Sequence, residues 1–186
     1  MNTTALLVDI LIIGAQVLLW IAGFTLSFFM TPSVFMNIFS KSPTFFILVI
    51  IMISYTLGII FDYLNAPFFS MFKSAEEKNV YSNKGLIISI LHFDKDTHAY
   101  LDSQYARLRI SKATIINIPL ITFSACCFLI NNNVPLKLNT SAAIFTILSF
   151  GIIFTILSII SYWKRNKVYW GYIQRTNQII EEKSRS

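Results

Sequence analysis

The sequence predicts an all-α membrane protein: a four-helix transmembrane bundle, N-in and C-in, whose third and fourth helices extend into the cytoplasm. Three observations carry this reading. Of the 186 residues, 55% are apolar and only 13% charged, whereas about a quarter of the residues in a soluble domain are charged. Four stretches, 10–40, 42–61, 113–136 and 138–163, contain no Asp, Glu, Lys or Arg. The fifteen Lys and Arg residues are also sorted along the chain. Seven lie between the second and third stretches and six follow the fourth, leaving only Lys41 and Lys137 elsewhere.

A helix rising about 1.5 Å per residue needs about 20 residues to cross a hydrocarbon core about 30 Å thick, so each stretch is long enough to span. The first includes a connection, because Thr31-Pro32-Ser33 breaks the helix and 37–43 reads as a polar crossing point. Helix one is therefore placed at about 6–30. No basic segment precedes it, and it exceeds the roughly 7–15 apolar residues of a signal-peptide core, so it reads as an uncleaved span. Helix two covers 43–61 and is ended by Asn65-Ala66-Pro67. Helices three, 113–130, and four, 141–163, are joined by an Asn-rich loop too short for a domain. Lys and Arg favour the cytoplasmic side, so the 62–112 loop, the 164–186 tail and both termini are expected inside. Tyr162, Trp163, Tyr169, Trp170 and Tyr172 mark the interface where helix four leaves the bilayer.

The 62–112 loop is mixed in character. Phe68, Phe69, Met71 and Phe72 form an apolar knot, and 85–93 is a β-branched run that fits a buried strand and a surface-lying segment equally. Asp96-Thr97 reads as a helix start. No Gly or Pro follows until Pro119, so helix three should begin well outside the membrane. On that emergent part Leu101, Tyr105, Leu108 and Lys112 follow helical spacing, which calls for a helical neighbour. In the tail, Trp163, Trp170, Ile173 and Ile180 recur similarly, and 181–186 should fray.

No residue pattern nominates a catalytic site. Six scattered glycines make no phosphate-binding loop, and adjacent Cys126 and Cys127 in an apolar run behave as small hydrophobes. His92 and His98 are wrongly spaced for one helical metal face, so neither a metal nor another cofactor is expected. Asp9 and Asp62 fall near the cytoplasmic boundary, within reach of water or of Arg107, Arg109 or Lys112. Their simplest reading is an interfacial salt bridge or a solvated carboxylate; a part for Asp62 in ion or proton handling is the lesser one. In helix three, Pro119 leaves the Ile115 carbonyl without its helical donor, and Asn117 lies in the same turn. Ala113, Asn117, Ser124 and Cys127 share one face, and Gly151, Thr155 and Ser158 share a face of helix four. Both stripes suit close helix packing, with pore lining as the lesser reading, and the same holds for Gln16 and Trp20 in helix one. The basic stretches Arg107-Leu108-Arg109-Ile110-Ser111-Lys112 and Lys164-Arg165-Asn166-Lys167 lie at head-group level. They suit lipid phosphates or an acidic protein partner.

In its four spans (10–30, 42–61, 113–130 and 141–163), negligible external loops, and basic inner loop and tail, the chain resembles the four-helix membrane subunit of the Kiwa phage-defence system and other small bacterial defence membrane proteins. The resemblance is one of topology over the whole chain and transfers no site residue. It implies a homo-oligomer in a bacterial inner membrane, with both termini cytoplasmic, whose inner face binds a soluble partner. The expected function is accordingly a non-enzymatic membrane subunit that docks such a partner and touches membrane lipids, with no direct nucleic-acid binding. The alternatives are an oligomeric pore or ion channel and a lipid-modifying membrane enzyme.

Overall fold

The computed structural model describes residues 3–29, 32–70, 95–132 and 139–185. Among them the elements are all helical: α1 (Thr3–Phe28), α2 (Pro32–Lys41), α3 (Pro43–Ser70), α4 (Lys95–Asn131) and α5 (Thr140–Arg185). The chain is an all-α membrane protein in which α1, α3, α4 and α5 are each long and apolar enough to cross a bilayer. These are the four expected spans.

Their packing is an open row rather than a closed square. α1 lies between α3 and α4, α5 packs on α4, and α3 makes a smaller contact with α4. α1 and α4 run in the same direction, since Gln16 meets Thr114, Trp20 meets Asn117 and Ser27 meets Asn131. α3 and α5 run the other way. The start of α1 and the end of α5 therefore share one end of the row, called the terminal end below, and α2 lies at the opposite end. Lipid exerts no hydrophobic drive on helix pairing, so the row depends on close backbone approach and interhelical hydrogen bonds. The first device joins α1 to α3. A Cβ on Gly14 would overlap the Ser54 carbonyl oxygen, and one on Gly58 would overlap that of Ile10. Ser54-xxx-Gly58 is a small-xxx-small pair that could have been read from the sequence.

Several boundaries differ from expectation. The polar crossing point is instead the short helix α2, with Pro32 at its first position, where a missing N–H costs nothing. Its exposed residues Ser33, Met36, Asn37, Ser40 and Lys41 recur on one face, all but Met36 polar, while the sequence places apolar residues at 34, 35, 38 and 39. That pattern suits a helix lying along a membrane surface. Pro67 does not end α3, which continues to Ser70 and so carries Phe69 into a buried cluster with Leu108 and Tyr162. α5 opens on an Asn139 cap, whose Oδ1 accepts from the Ser141 amide. It remains helical through Arg185, so the expected frayed end is not seen over that length. The segment 85–93, Met71, Phe72 and His92 lie outside the described residues, as do the side chains of Phe68, His98 and Ile180.

α4 has 37 residues and α5 has 46, or about 55 and 70 Å at 1.5 Å per residue, against a core of about 30 Å. Both helices thus project well past the bilayer at the terminal end, as expected, and they stay paired there.

Candidate functional site

The paired extension is built on a narrow stripe. Leu101 of α4 packs with Trp170 and Ile173 of α5, flanked by Tyr169. Tyr105 stacks obliquely on Tyr169, and Tyr100 on Tyr172. One level nearer the membrane, Leu108, Phe69 and Tyr162 form the second cluster. Leu101, Tyr105 and Leu108 thus find a helical neighbour, as their spacing requires. On α5 the buried positions are Tyr162, Asn166, Trp170 and Ile173, while Trp163 is largely exposed. The stripe therefore starts one residue earlier than expected. Asn166 is its polar member, buried while its Oδ1 accepts the Trp170 indole N–H at 3.0 Å.

The basic residues at the root of this extension divide by what they touch. Arg109 donates through Nε to Asp62 Oδ1 at 3.1 Å and through Nη2 to Oδ2 at 2.7 Å, a two-point grip joining α4 to α3. This fits the interfacial salt bridge expected for Asp62. Lys112 Nζ stands 5.8 Å from the centroids of both the Phe69 and Tyr162 rings, within cation–π range. Arg165 is half-buried and donates to Ser161 Oγ at 3.3 Å. Arg107, Lys164 and Lys167 are exposed. They lie at one level, because Leu108 packs with Tyr162 and Tyr105 with Tyr169. Of the six cations that the sequence nominates for binding, these three present their charge outward. Arg175, further along α5, is also exposed.

Within the apolar stretch, the nominated polar residues of α4 turn toward α1. Asn117 is fully buried; its Oδ1 accepts the Trp20 indole N–H at 3.1 Å, and its Nδ2 donates to Gln16 Oε1 at 3.2 Å. Gln16 Nε2 donates in turn to Thr114 Oγ1 at 3.1 Å. Ser124 is buried against Gly23, where an added Cβ would stand 2.6 Å from the serine Oγ. At the opposite end, Asn131 and Asn132 donate to the Ser27 and Leu26 carbonyls, capping acceptors that α1 itself leaves open. Asn117 and Ser124 are thus packing residues of the α1–α4 seam. Cys126 is the buried cysteine and Cys127 the half-buried one.

The second stripe faces α4 loosely. Gly151 abuts Thr122, with a groove on either side of that contact. One groove, of about 310 Å³, is lined by Pro119, Phe123, Leu148, Ile152, Thr155 and Ile156 together with the Thr122–Gly151 contact. Ser158 borders a third, shallower one with Thr114 and Ser161.

Among the described residues, no three His, Cys, Asp or Glu side chains come together as a metal site would require. In comparisons with protein-family models, curated proteins and solved structures, nothing matches the chain.

Proposed function

We propose that the protein is a non-enzymatic membrane subunit that displays the α4–α5 extension on the cytoplasmic face as a dock for a soluble partner. One observation carries the reading. The two longest helices each exceed what a bilayer core requires and remain packed where they do so, which supports a water-exposed helical pair at the terminal end. The positive-inside rule supports assigning that side to the cytoplasm, since thirteen of the fifteen Lys and Arg residues belong to the loop and tail at the terminal end. Both termini are then cytoplasmic. Arg107, Lys164 and Lys167 give the base of the dock an outward positive charge suited to an acidic protein surface. Homo-oligomerisation in a bacterial inner membrane, and service in antiphage defence, are the parts of this proposal that rest on the topological resemblance.

Reversing charge at Arg107, Lys164 and Lys167 together is expected to release a soluble protein that co-purifies with the wild-type chain in mild detergent, with membrane insertion unchanged. Undiminished recovery of that protein would exclude this surface as the dock. Arg109 and Lys112 are unsuited to the same test, because altering them disturbs Asp62 and the Phe69–Tyr162 cluster.

A further inference from the structure

Asp9 is the most buried acid of the described residues, 8% exposed, and its Oδ2 is shut off from solvent with no hydrogen-bond partner. It belongs to α1, the helix packed against both α3 and α4. Gln16 of α1 meets Thr114 of α4, which puts Arg109 at about the level of Asp9 one to two turns nearer the terminal end, yet that guanidinium is engaged at two points by Asp62. The neighbouring cations of α4 are directed elsewhere, Lys112 over the Phe69 and Tyr162 rings and Arg107 outward. α3 contributes a second negative group, Asp62 itself, while its tyrosines Tyr55 and Tyr63 are exposed. α1 carries no other charged side chain. Two carboxyl groups therefore lie at the level of one guanidinium, which pairs with Asp62 and leaves the buried Asp9 Oδ2 unpartnered.

An ionised carboxylate buried in this way without a partner is strongly unfavourable, and more so at the edge of a bilayer. It can be neutralised by a proton or by a cation. A metal cation needs several oxygen ligands at once, and among the described residues no three His, Cys, Asp or Glu side chains gather to supply them. We propose that Asp9 is a proton-binding site, neutral while Arg109 grips Asp62. When that grip opens, Arg109 turns to Asp9, and the proton leaves for water at the terminal end. The second carboxylate thereby makes the Arg109–Asp62 pair a proton-coupled joint between α1, α3 and α4. This inference stands apart from what docks on the extension.

The test uses dicyclohexylcarbodiimide on the full chain in liposomes, because this reagent attacks protonated carboxyls in apolar surroundings. The acid proton passes to a carbodiimide nitrogen as the carboxyl oxygen adds to the central carbon. The resulting O-acylisourea rearranges to a stable N-acylurea that mass spectrometry locates. At neutral pH the adduct is expected on Asp9 and not on Asp62, diminishing as pH rises. It should disappear in D9N and fall to that background in D62N, where Arg109 is released to Asp9. An infrared C=O band of a neutral carboxyl, present in the wild type and missing from D9N, reports the same proton without depending on reagent access or on the folding of D62N. Absence of both adduct and band from the wild type at neutral pH would overturn the proposal. So would a D62N adduct as strong as the wild type's, and sodium-dependent protection at constant pH would replace the proton with a metal cation.

Discussion

The two faces of α4 are held in opposite ways. Toward α1 the contact is polar: Gln16, Trp20, Thr114 and Asn117 are bonded across the seam, and Asn131 and Asn132 reach the last carbonyls of α1. Toward α5, in the same apolar stretch, the hydroxyls of Thr146, Ser149, Thr155 and Ser158 each fold back on a carbonyl one turn earlier in α5 itself. Lipid can replace an apolar contact almost without loss, but it cannot replace an interhelical hydrogen bond. Outside the bilayer the situation reverses, because water drives Leu101, Trp170 and Ile173 together. α5 is thus fastened to α4 mainly by the part that has left the membrane, and α1 by the part that has stayed inside it.

The strongest way to break this contrast is to cut the outer fastening. Trp170→Ala removes a large side chain that is only 8% exposed and strips the buried Asn166 of its indole donor. A loss of about 3–5 kcal/mol is expected, the range for truncating a buried tryptophan. Disulfide trapping between cysteines placed at Ala125 and Ile147, which border one α4–α5 groove, should then fall, with Cys126 and Cys127 replaced. Trapping between α1 and α4 should be unaffected. If α4–α5 trapping inside the membrane survives the change, α5 has a hold in lipid that its side chains do not display.

A smaller effect is expected from opening the inner seam. Asn117→Ala deprives both Trp20 and Gln16 of a partner inside the membrane. Interhelical hydrogen bonds there are worth about 0.6–2 kcal/mol each, because the separated helices also find partners. A destabilisation of about 1–2 kcal/mol is expected in reversible unfolding from bicelles. In a double-mutant cycle with Gln16→Ala, a coupling indistinguishable from zero would show that the seam is held by shape alone.

How much of this was legible beforehand depends on the solvent at each position. The four spans and the two projecting helices follow from charge-free length and from the absence of Gly and Pro between Asp96 and Pro119, features that packing cannot disguise. The order of the row was not legible, because an apolar residue looks the same whether it faces lipid or a helix. Ile12 is 40% exposed and Ile13 fully buried, with nothing in the residue type to separate them. Trp163 misled for a related reason: an interfacial tryptophan is satisfied at the membrane surface without entering the stripe. The basic stretch from Arg107 to Lys112 read as one surface. Neighbouring residues on a helix point about 100° apart, so Arg107, Arg109 and Lys112 meet solvent, Asp62 and two aromatic rings respectively.

The finest test applies one chemical change to both faces of α4. A Cβ on Gly23 would lie 3.0 Å from Ser124 Cβ across the α1 seam, and one on Gly151 would lie 2.9 Å from Thr122 Cβ across the α5 contact. In each case the obstacle includes a Cβ, which no rotamer change removes, so the helices themselves must shift. α1 is pinned on both sides of Gly23, by Trp20 to Asn117 and by Ser27 to Asn131. It can separate only by stretching those bonds, and Gly23→Ala should cost about 1–3 kcal/mol, as overpacking of a tight contact does. α5 has grooves beside Gly151 and no interhelical bond in that stretch to stretch. It can move away while lipid follows, so Gly151→Ala should cost less than about 1 kcal/mol. Equal losses from the two substitutions, measured by the same unfolding equilibrium, would mean that both faces are equally rigid and that the hydrogen bonds do not set the difference.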